Sequence, residues 1–553
     1  MANSSDLPWW KTCIIYQIYP RSFQDSNGDG VGDLRGIQSR LEHFEFLGVD
    51  AIWLSPIYES PMKDFGYDIS DFKNIDPIFG DLGDFRDLIE DAHSRGIKVI
   101  MDYVPNHTSD LHSWFKASKK GGAENPYADY YVWNDGKVLE DGTRVPPNNW
   151  MSIFGGSAWQ WEEERQQFYY HAYLKEQPDL NYRNEKVREE MKDVFRFWLD
   201  LGVDGFRVDA IHSLWENHYD KDEPLIKGTS YKEDEYHAYN HIYSQEQDEL
   251  HDVIKEWREV FDEYERKTGK YVFMVMETWV LEEAEKYYHS GADIPFNFNL
   301  VTITQECKGK EIKELIDSWM RLMPAGKWPN FVLGNHDRPR ITSRKDPKYA
   351  DAMNLLLLTL PGTPTSYQGE EIAMRDIEVS FEDTVDPWGK NFGRDRYKKY
   401  TRDPCRAPMQ WDDQKHSGFS AAEKTWLPVN PDYKERNVQV QKNPRSGRSS
   451  LLMYRSAALL RRQAAFQNNS LEYCVVNDNI LSYNRTDGGD IYLVALNVGD
   501  NISTDDYSNY FSNRKIGEIV LMTPGAQFKE GGLVELQKLS LNPGDGVVIR
   551  ARK

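Results

Sequence analysis

Four cysteines in 553 residues, Cys13, Cys307, Cys405 and Cys474, are too few for a disulfide framework, and no two stand at CxxC spacing. No stretch reaches the roughly 18 apolar residues of a membrane span, and the start MANSSDLPWWKTC lacks the apolar core of a signal peptide. Positive charge is short as well: 67 Lys and Arg face 89 Asp and Glu, a net −22, which argues against nucleic acid or an anionic membrane as partner. Internal repeats and low-complexity segments are also lacking.

Aromatic side chains are plentiful at 13%, with 17 Trp and 32 Tyr, and flat rings beside carboxylates suit the faces and rims of sugars. Asn3, Asn106, Asn468, Asn484 and Asn501 head N-x-[ST] sequons and point to a secretory, extracellular or membrane-associated location, with Asn106 placed where a glycan has no room.

Short apolar runs alternate with amphipathic helices. CIIYQIYP, AIWLSP, IKVIMDYVPNH, VDGFRVDAIH, YVFMVMETW, IPFNFNLV, FVLGNHD and TPTSYQG read as successive strands. Between them, patterns such as Val187, Met191, Val194, Phe195 and Trp198 mark one face of a helix. The repeat predicts an α/β fold, a closed (β/α)8 TIM barrel with an inserted subdomain after strand three and a C-terminal antiparallel β domain. The expected division is 1–107 and 181–468 for the barrel, 108–180 for the insertion and 469–553 for the β domain, with a long loop at 372–448 after strand eight.

Catalytic groups of such a barrel sit at the C-terminal ends of its strands. Strand three leads to Asp102, Asn106 and His107, strand four to Arg207 and Asp209, strand five to Glu277, and strand seven to His336 and Asp337. One aspartate ending a strand is ordinarily a turn former or cap. Several converging on one mouth fit glycoside hydrolysis, where one carboxyl attacks and another protonates the leaving oxygen. Arg207 is expected to keep Asp209 ionised for the attack, and the apolar FMVM before Glu277 to raise its pKa for the acid role.

DYVPNH, GFRVDA, METW and GNHD, in this order, resemble the four conserved regions of the α-amylase family of glycoside hydrolases. QPDLN at 177–181 and RDPCRAPMQWDD at 402–413 resemble its α-glucosidase and oligo-1,6-glucosidase branch, and EDTVDP at 382–387 is similar to animal maltases. The resemblance implies a retaining mechanism with Asp209 as nucleophile, Glu277 as acid and base, and Asp337 stabilising the distorted ring. It further implies that Tyr67, Asp68, His107, Arg207, His336 and Arg402 bind the terminal glucose, with Arg406 a further contact. Asp68 is expected to anchor the non-reducing end, Ile211 to tune linkage, and the two insertions to wall the pocket. The implied activity is exo-hydrolysis of short α-glucosides of maltose or sucrose type, with a transglucosidase or sucrose isomerase, or a non-catalytic transporter heavy chain, as alternatives.

The stretch DSNGDGVGD at 25–33 follows a strand, and its twelfth position is Gly36 where an EF-hand needs Glu. It resembles instead the branch's structural calcium loop, which implies ligands from Asp25, Asn27, Asp29, the Val31 carbonyl and Asp33, remote from the catalytic carboxylates.

Overall fold

The computed structural model describes residues 7–445, 447–511 and 514–551. Eight parallel strands follow the chain around one sheet: β1 Ile15–Ile18, β2 Ala51–Leu54, β3 Lys98–Tyr103, β4 Gly205–Val208, β5 Phe273–Met276, β6 Ile294–Pro295, β7 Asn330–Val332 and β8 Thr363–Tyr367. Neighbours pair in order 6-5-4-3-2-1-8-7. The gap between β6 and β7 is bridged by a side chain: Asn330 Oδ1 accepts the Asn297 N–H at 3.2 Å, and its Nδ2 donates to the Thr363 carbonyl at 2.8 Å. The eight strands thus form a nearly closed barrel, as their order in the sequence predicts.

The strands are apolar runs because both their faces are covered. Ile15, Trp53, Ile100, Phe273, Val275, Ile294 and Val332 pack together in one cluster, with Trp10 among them. The other faces meet helices, among them α1 Leu82–Ser94 and α2 Glu185–Asp200. Asp81 caps α1 through a capping box, and α2 buries Val187, Met191, Val194, Phe195 and Trp198, the stripe predicted from their spacing. Gly205 opens β4 because a Cβ there would lie 2.6 Å from the Phe273 carbonyl oxygen of β5.

Between β3 and α2 the chain builds a three-stranded antiparallel sheet from Trp133–Asn134, Trp159–Glu162 and Gln167–Tyr170. Beyond the barrel, β9 Glu472–Val476, β10 Ile480–Thr486, β11 Ile491–Asn497, β12 Ile516–Met522, β13 Leu533–Glu535 and β14 Gly546–Ala551 form an antiparallel sheet in the order 9-10-11-14-12-13. It is docked on the barrel by Tyr483 and Arg485, which hydrogen-bond the hydroxyl and the carbonyl of Thr359 at 2.6 and 2.5 Å.

Of the sequons, Asn3 lies outside the described residues. Asn106 is buried and donates to Asp179 at 2.9 Å, so it has no room for a glycan. Asn484 is buried on β10, and the Asn468 amide donates to the Ala464 and Thr486 carbonyls. Asn501 is exposed. Among the described residues no helix is long and apolar enough to cross a membrane.

Candidate active site

The C-terminal ends of β3, β4 and β5 meet at one guanidinium. Arg207, on β4 and buried, donates from Nη1 to Asp102 at 3.0 Å and to Asp209, and its Nη2 lies 3.2 Å from Glu277 Oε2. Its plane rests on the Trp53 ring, 5.0 Å from the centroid. Three carboxylates around one cation cannot all ionise cheaply in a buried place.

Immediately after Asp209 the backbone turns sharply. Ala210 has φ 50°, the left-handed region that a side chain enters at a cost of about 1 kcal/mol or more. There its N–H donates to Glu277 Oε2 at 2.9 Å. The strained turn therefore connects the ends of β4 and β5 through the Glu277 carboxylate. Glu277 Oε1 accepts a third donor, the Trp279 indole N–H, at 3.0 Å.

This donor set reverses the expected acidities. Burial pushes Asp209 well above the usual carboxylate range, and Arg207 offsets only part of that. Burial also raises Glu277, but Arg207, the His212 ring and the Ala210 N–H outweigh it and bring it below its ordinary value. The apolar FMVM run precedes Glu277 without surrounding its carboxyl, and Arg207 lowers Asp209 by less than burial raises it.

From the end of β7, Asp337 accepts Arg406 Nη2 at 3.0 Å and stands 3.5 Å from Arg402 Nη1. Burial opposes its ionisation, yet the His336 ring and the two guanidiniums hold its carboxyl well below the usual range. His336 accepts at Nδ1 from Gln17 Nε2 (2.7 Å), which leaves Nε2 to carry the proton 2.7 Å from the Tyr67 hydroxyl. The Tyr67 and His336 rings stack at 5.4 Å, and Tyr67 donates onward to Asp102 at 3.2 Å. Burial lowers His336 to about 3 and His107 to about 4, so both rings are neutral.

A pocket of about 310 Å³ opens onto these groups, lined by Asp209, Glu277, Asp337, Tyr67, His107 and His336 at its floor. Phe154 and Tyr173 of the insertion after β3, with Trp388 and Arg402 of the segment after β8, wall it. A third wall comes from the irregular segment after β4, through Tyr236, His237 and His241. Sequence reading missed this wall, because residues 211–249 carry no periodic apolar pattern. Tyr236 and His241 stack at 3.6 Å, and Glu223 holds the His241 Nδ1 at 2.6 Å.

One expected sugar ligand is misplaced. Asp68 is fully buried and turned into its own loop, where it accepts from the Ser60 hydroxyl (3.0 Å) and the Lys63 and Asp64 N–H groups (2.8 and 2.9 Å). Asp64 takes its place: it lines the pocket, and its Oδ1 lies 2.7 Å from Arg402 Nη2. DFGYD contains both aspartates, and turns at Phe65 (φ 49°) and Gly66 (φ 107°) separate their directions. Ile211 is buried in the main core and does not line the pocket, whereas His212 does. Arg406 is fully buried and reaches Asp337 and the His336 carbonyl; it positions Asp337.

The loop at 25–33 closes on itself. Asp25 accepts the Asn27, Gly28 and Gly30 N–H groups and the Ser420 hydroxyl, Asn27 accepts the Asp29 N–H, and Asp29 accepts the Val31 N–H. Asp33 accepts the Gly36 N–H as a helix cap. Among the described residues no group of three or more His, Cys, Asp or Glu is gathered as a metal cluster. The donors in the loop are nevertheless all hard oxygens of the kind calcium takes: carboxylates, one amide and one carbonyl.

The profile described as "Alpha amylase, catalytic domain" matches residues 17–469. The chain belongs to the α-amylase family of glycoside hydrolases. It is similar to Maltase A1 of Drosophila melanogaster, 42% identical over 98% of this chain and 96% of that protein. It is also similar to the amino acid transporter heavy chain SLC3A1 of Homo sapiens, 39% identical over 98% of this chain and 78% of that one. Among solved structures, the alpha-glucosyl transfer enzyme XgtA superposes with a TM-score of 0.86 at 36% identity, covering 99% of this chain and all of its own.

Proposed function

We propose that this α-amylase family member is a retaining, exo-acting α-glucosidase that releases terminal glucose from short α-glucosides of the maltose or sucrose type. The observation that carries the reading is Arg207, which contacts both Asp209 and Glu277 at one pocket floor. A single fork reaching both carboxyls favours the narrow spacing of about 5 to 5.5 Å that retaining enzymes use over the wider one of inverting enzymes. The three-sided wall favours a chain end over the middle of a polysaccharide.

In this mechanism Asp209 attacks the anomeric carbon while Glu277 gives its proton to the leaving oxygen, which forms a β-glucosyl ester on Asp209. Glu277 then takes a proton from water, the water oxygen attacks the anomeric carbon from the opposite face, the bond from that carbon to Asp209 breaks, and α-glucose leaves with the Asp209 carboxylate restored. The first step needs the pair's proton on Glu277. Because Arg207 touches both groups, the proton passes between them with no change in the charge around the guanidinium. Asp337, held ionised by Arg402 and Arg406, stabilises positive charge on the distorted ring. Tyr67, His107, His336, Asp64 and Arg402 would bind the hydroxyls of the same glucose.

Calcium is proposed as a structural ion at Asp25, Asn27, Asp29, the Val31 carbonyl and Asp33. It would tie that turn together, and no reaction step runs through it. An extracellular site of action is proposed with it, and among the described residues the exposed Asn501 is the sequon open to a glycan.

Asp209→Asn should abolish release of glucose from an aryl α-glucoside while the protein stays folded; unchanged turnover would remove the assignment. The likeness to XgtA favours transfer to a sugar acceptor as the second reading, and products formed in concentrated sucrose separate it from hydrolysis. The likeness to the transporter heavy chain supports a third, which predicts no turnover and co-purification with a multi-span membrane protein. Glucose release across maltose, isomaltose, sucrose and trehalose would settle the substrate.

A further inference from the structure

Trp279 stands at the pocket mouth, 37% exposed, three residues beyond the end of β5. An exposed tryptophan beside a sugar pocket is ordinarily a stacking platform, but neither face of this ring is free. Phe298 stacks on one side with centroids 4.2 Å apart, and the Arg338 guanidinium is 4.8 Å from the ring centroid. What the indole directs into the site is its edge: Nε1–H donates to Glu277 Oε1 at 3.0 Å.

We infer that Trp279 is a positioning residue that fixes the Glu277 carboxyl and favours its ionised form. The inference rests on the reading of Glu277 as the acid and base of the reaction. An indole N–H donates only, so it can bond the charged carboxylate or the carbonyl oxygen of the acid, and the charged form accepts more strongly. Glu277 thereby has one oxygen held by the Ala210 N–H and Arg207 and the other by Trp279. A carboxyl fixed at both oxygens has little rotational freedom and loses less entropy in reaching the leaving oxygen. The clamp of Phe298 and Arg338 sets the ring plane and so the direction of the N–H. Ionised Glu277 is also the form required when the ester is hydrolysed, and Trp279 therefore serves the second step more than the first.

The other groups facing Glu277 are Arg207, Asp209 and His212 from the β4 side, Asp102 from β3, Asp337 from β7 and Tyr173 from the insertion. All of them remain in Trp279→Phe, which removes the N–H and keeps a ring against Phe298.

The test has two arms. In the first, the Glu277 carboxyl is titrated by carbon-13 NMR of Glu-labelled protein, assigned by difference from Glu277→Gln, in the parent and in Trp279→Phe. The expected result is a pKa higher by about one unit in the variant, the size that loss of one hydrogen bond to a charged group gives; an unchanged pKa overturns the inference, whether or not the protein is active. In the second, kcat/KM for maltose is followed against pH. The alkaline limb should move up by the same amount, with the melting temperature within a few degrees of the parent. A limb that stays in place while activity falls overturns the inference and leaves only a packing role. Absence of turnover in the parent counts against the α-glucosidase reading alone, and the NMR arm still decides the role of Trp279.

Discussion

Asp64, on the loop after β2, and Arg402, on the segment after β8, form a 2.7 Å ion pair at the pocket wall. Arg402 also donates to Asp386 at 2.7 Å, and Asp64 accepts from Gln177 at 3.2 Å. One buried guanidinium thus joins parts of the chain more than three hundred residues apart in sequence. Removing one partner of such a pair leaves the other charge buried without it. Asp64→Asn should therefore lower kcat/KM for maltose by roughly 100-fold, as loss of a positioned sugar contact does. Asp68→Asn, one turn away and outside the pocket, should leave KM within about threefold while lowering thermal stability by about 1 to 3 kcal/mol, because it trades a carboxylate that takes three hydrogen bonds for an amide. Steady-state kinetics and melting of the two variants check this, and equal losses of activity would contradict the placement of Asp64.

Glu277→Gln keeps the volume of the acid and removes its proton. Loss of a general acid costs about 100- to 10,000-fold on a substrate whose leaving group needs protonation. Maltose is such a substrate, and a nitrophenyl glucoside is not, since its phenolate leaves unaided. The variant should therefore lose far more on maltose, and with the nitrophenyl glucoside it should show a burst of nitrophenol as the ester on Asp209 accumulates. Pre-steady-state absorbance reads the burst; equal loss on both substrates would remove Glu277 from the acid role.

The barrel was legible because its strands are covered on both faces and so become unbroken apolar runs, and because Asp209, Glu277 and Asp337 stand just past three of those runs. Whatever depended on backbone direction was not. Two aspartates flank Tyr67 in DFGYD, and only the positive φ values at Phe65 and Gly66 decide that Asp64 faces the pocket and Asp68 does not. The acidity of Glu277 was misread for a similar reason: its neighbours in sequence are apolar, but its neighbours in space are the Ala210 N–H and Arg207 of another strand. Tyr236, His237 and His241 escaped notice because an irregular segment carries no periodicity from which its position can be read.

Stability should fall on both sides of neutrality, for opposite reasons. Burial lowers His107 and His171 to about 4 and His112 and His336 to about 3, so below pH 6.5 the unfolded chain binds protons that the folded one refuses. Their contribution is complete above pH 6.5 and is lost as the pH falls. Glu370 behaves the other way: burial raises it to about 8, so its contribution is complete below its ordinary 4.5 and is lost as the pH rises through 8. Glu370→Gln cannot ionise and should melt several degrees above the parent at pH 8 and close to it at pH 5. Melting curves from pH 4 to 9 test this, and parallel profiles for parent and variant would contradict it.

Calcium at the 25–33 turn should act on folding and not on turnover. The turn already stands on hydrogen bonds from its own backbone, and it packs on the segment 419–426, where the Trp426 N–H donates to the Gly30 carbonyl and the Asp25 N–H to the Phe419 carbonyl. An ion that binds only the folded turn stabilises by mass action, about 2.7 kcal/mol at a hundredfold excess over its dissociation constant. Chelation should therefore lower the melting temperature, and added calcium restore it, while kcat/KM well below the transition stays within about twofold. Asp29→Ala should abolish that calcium response and leave the melting temperature in chelator nearly unchanged, because Asp29 is the exposed carboxylate of the set and caps no helix. A melting temperature indifferent to calcium in the parent would show that the hydrogen bonds alone close the turn, and immediate loss of turnover on chelation without unfolding would place the ion near the carboxylates instead.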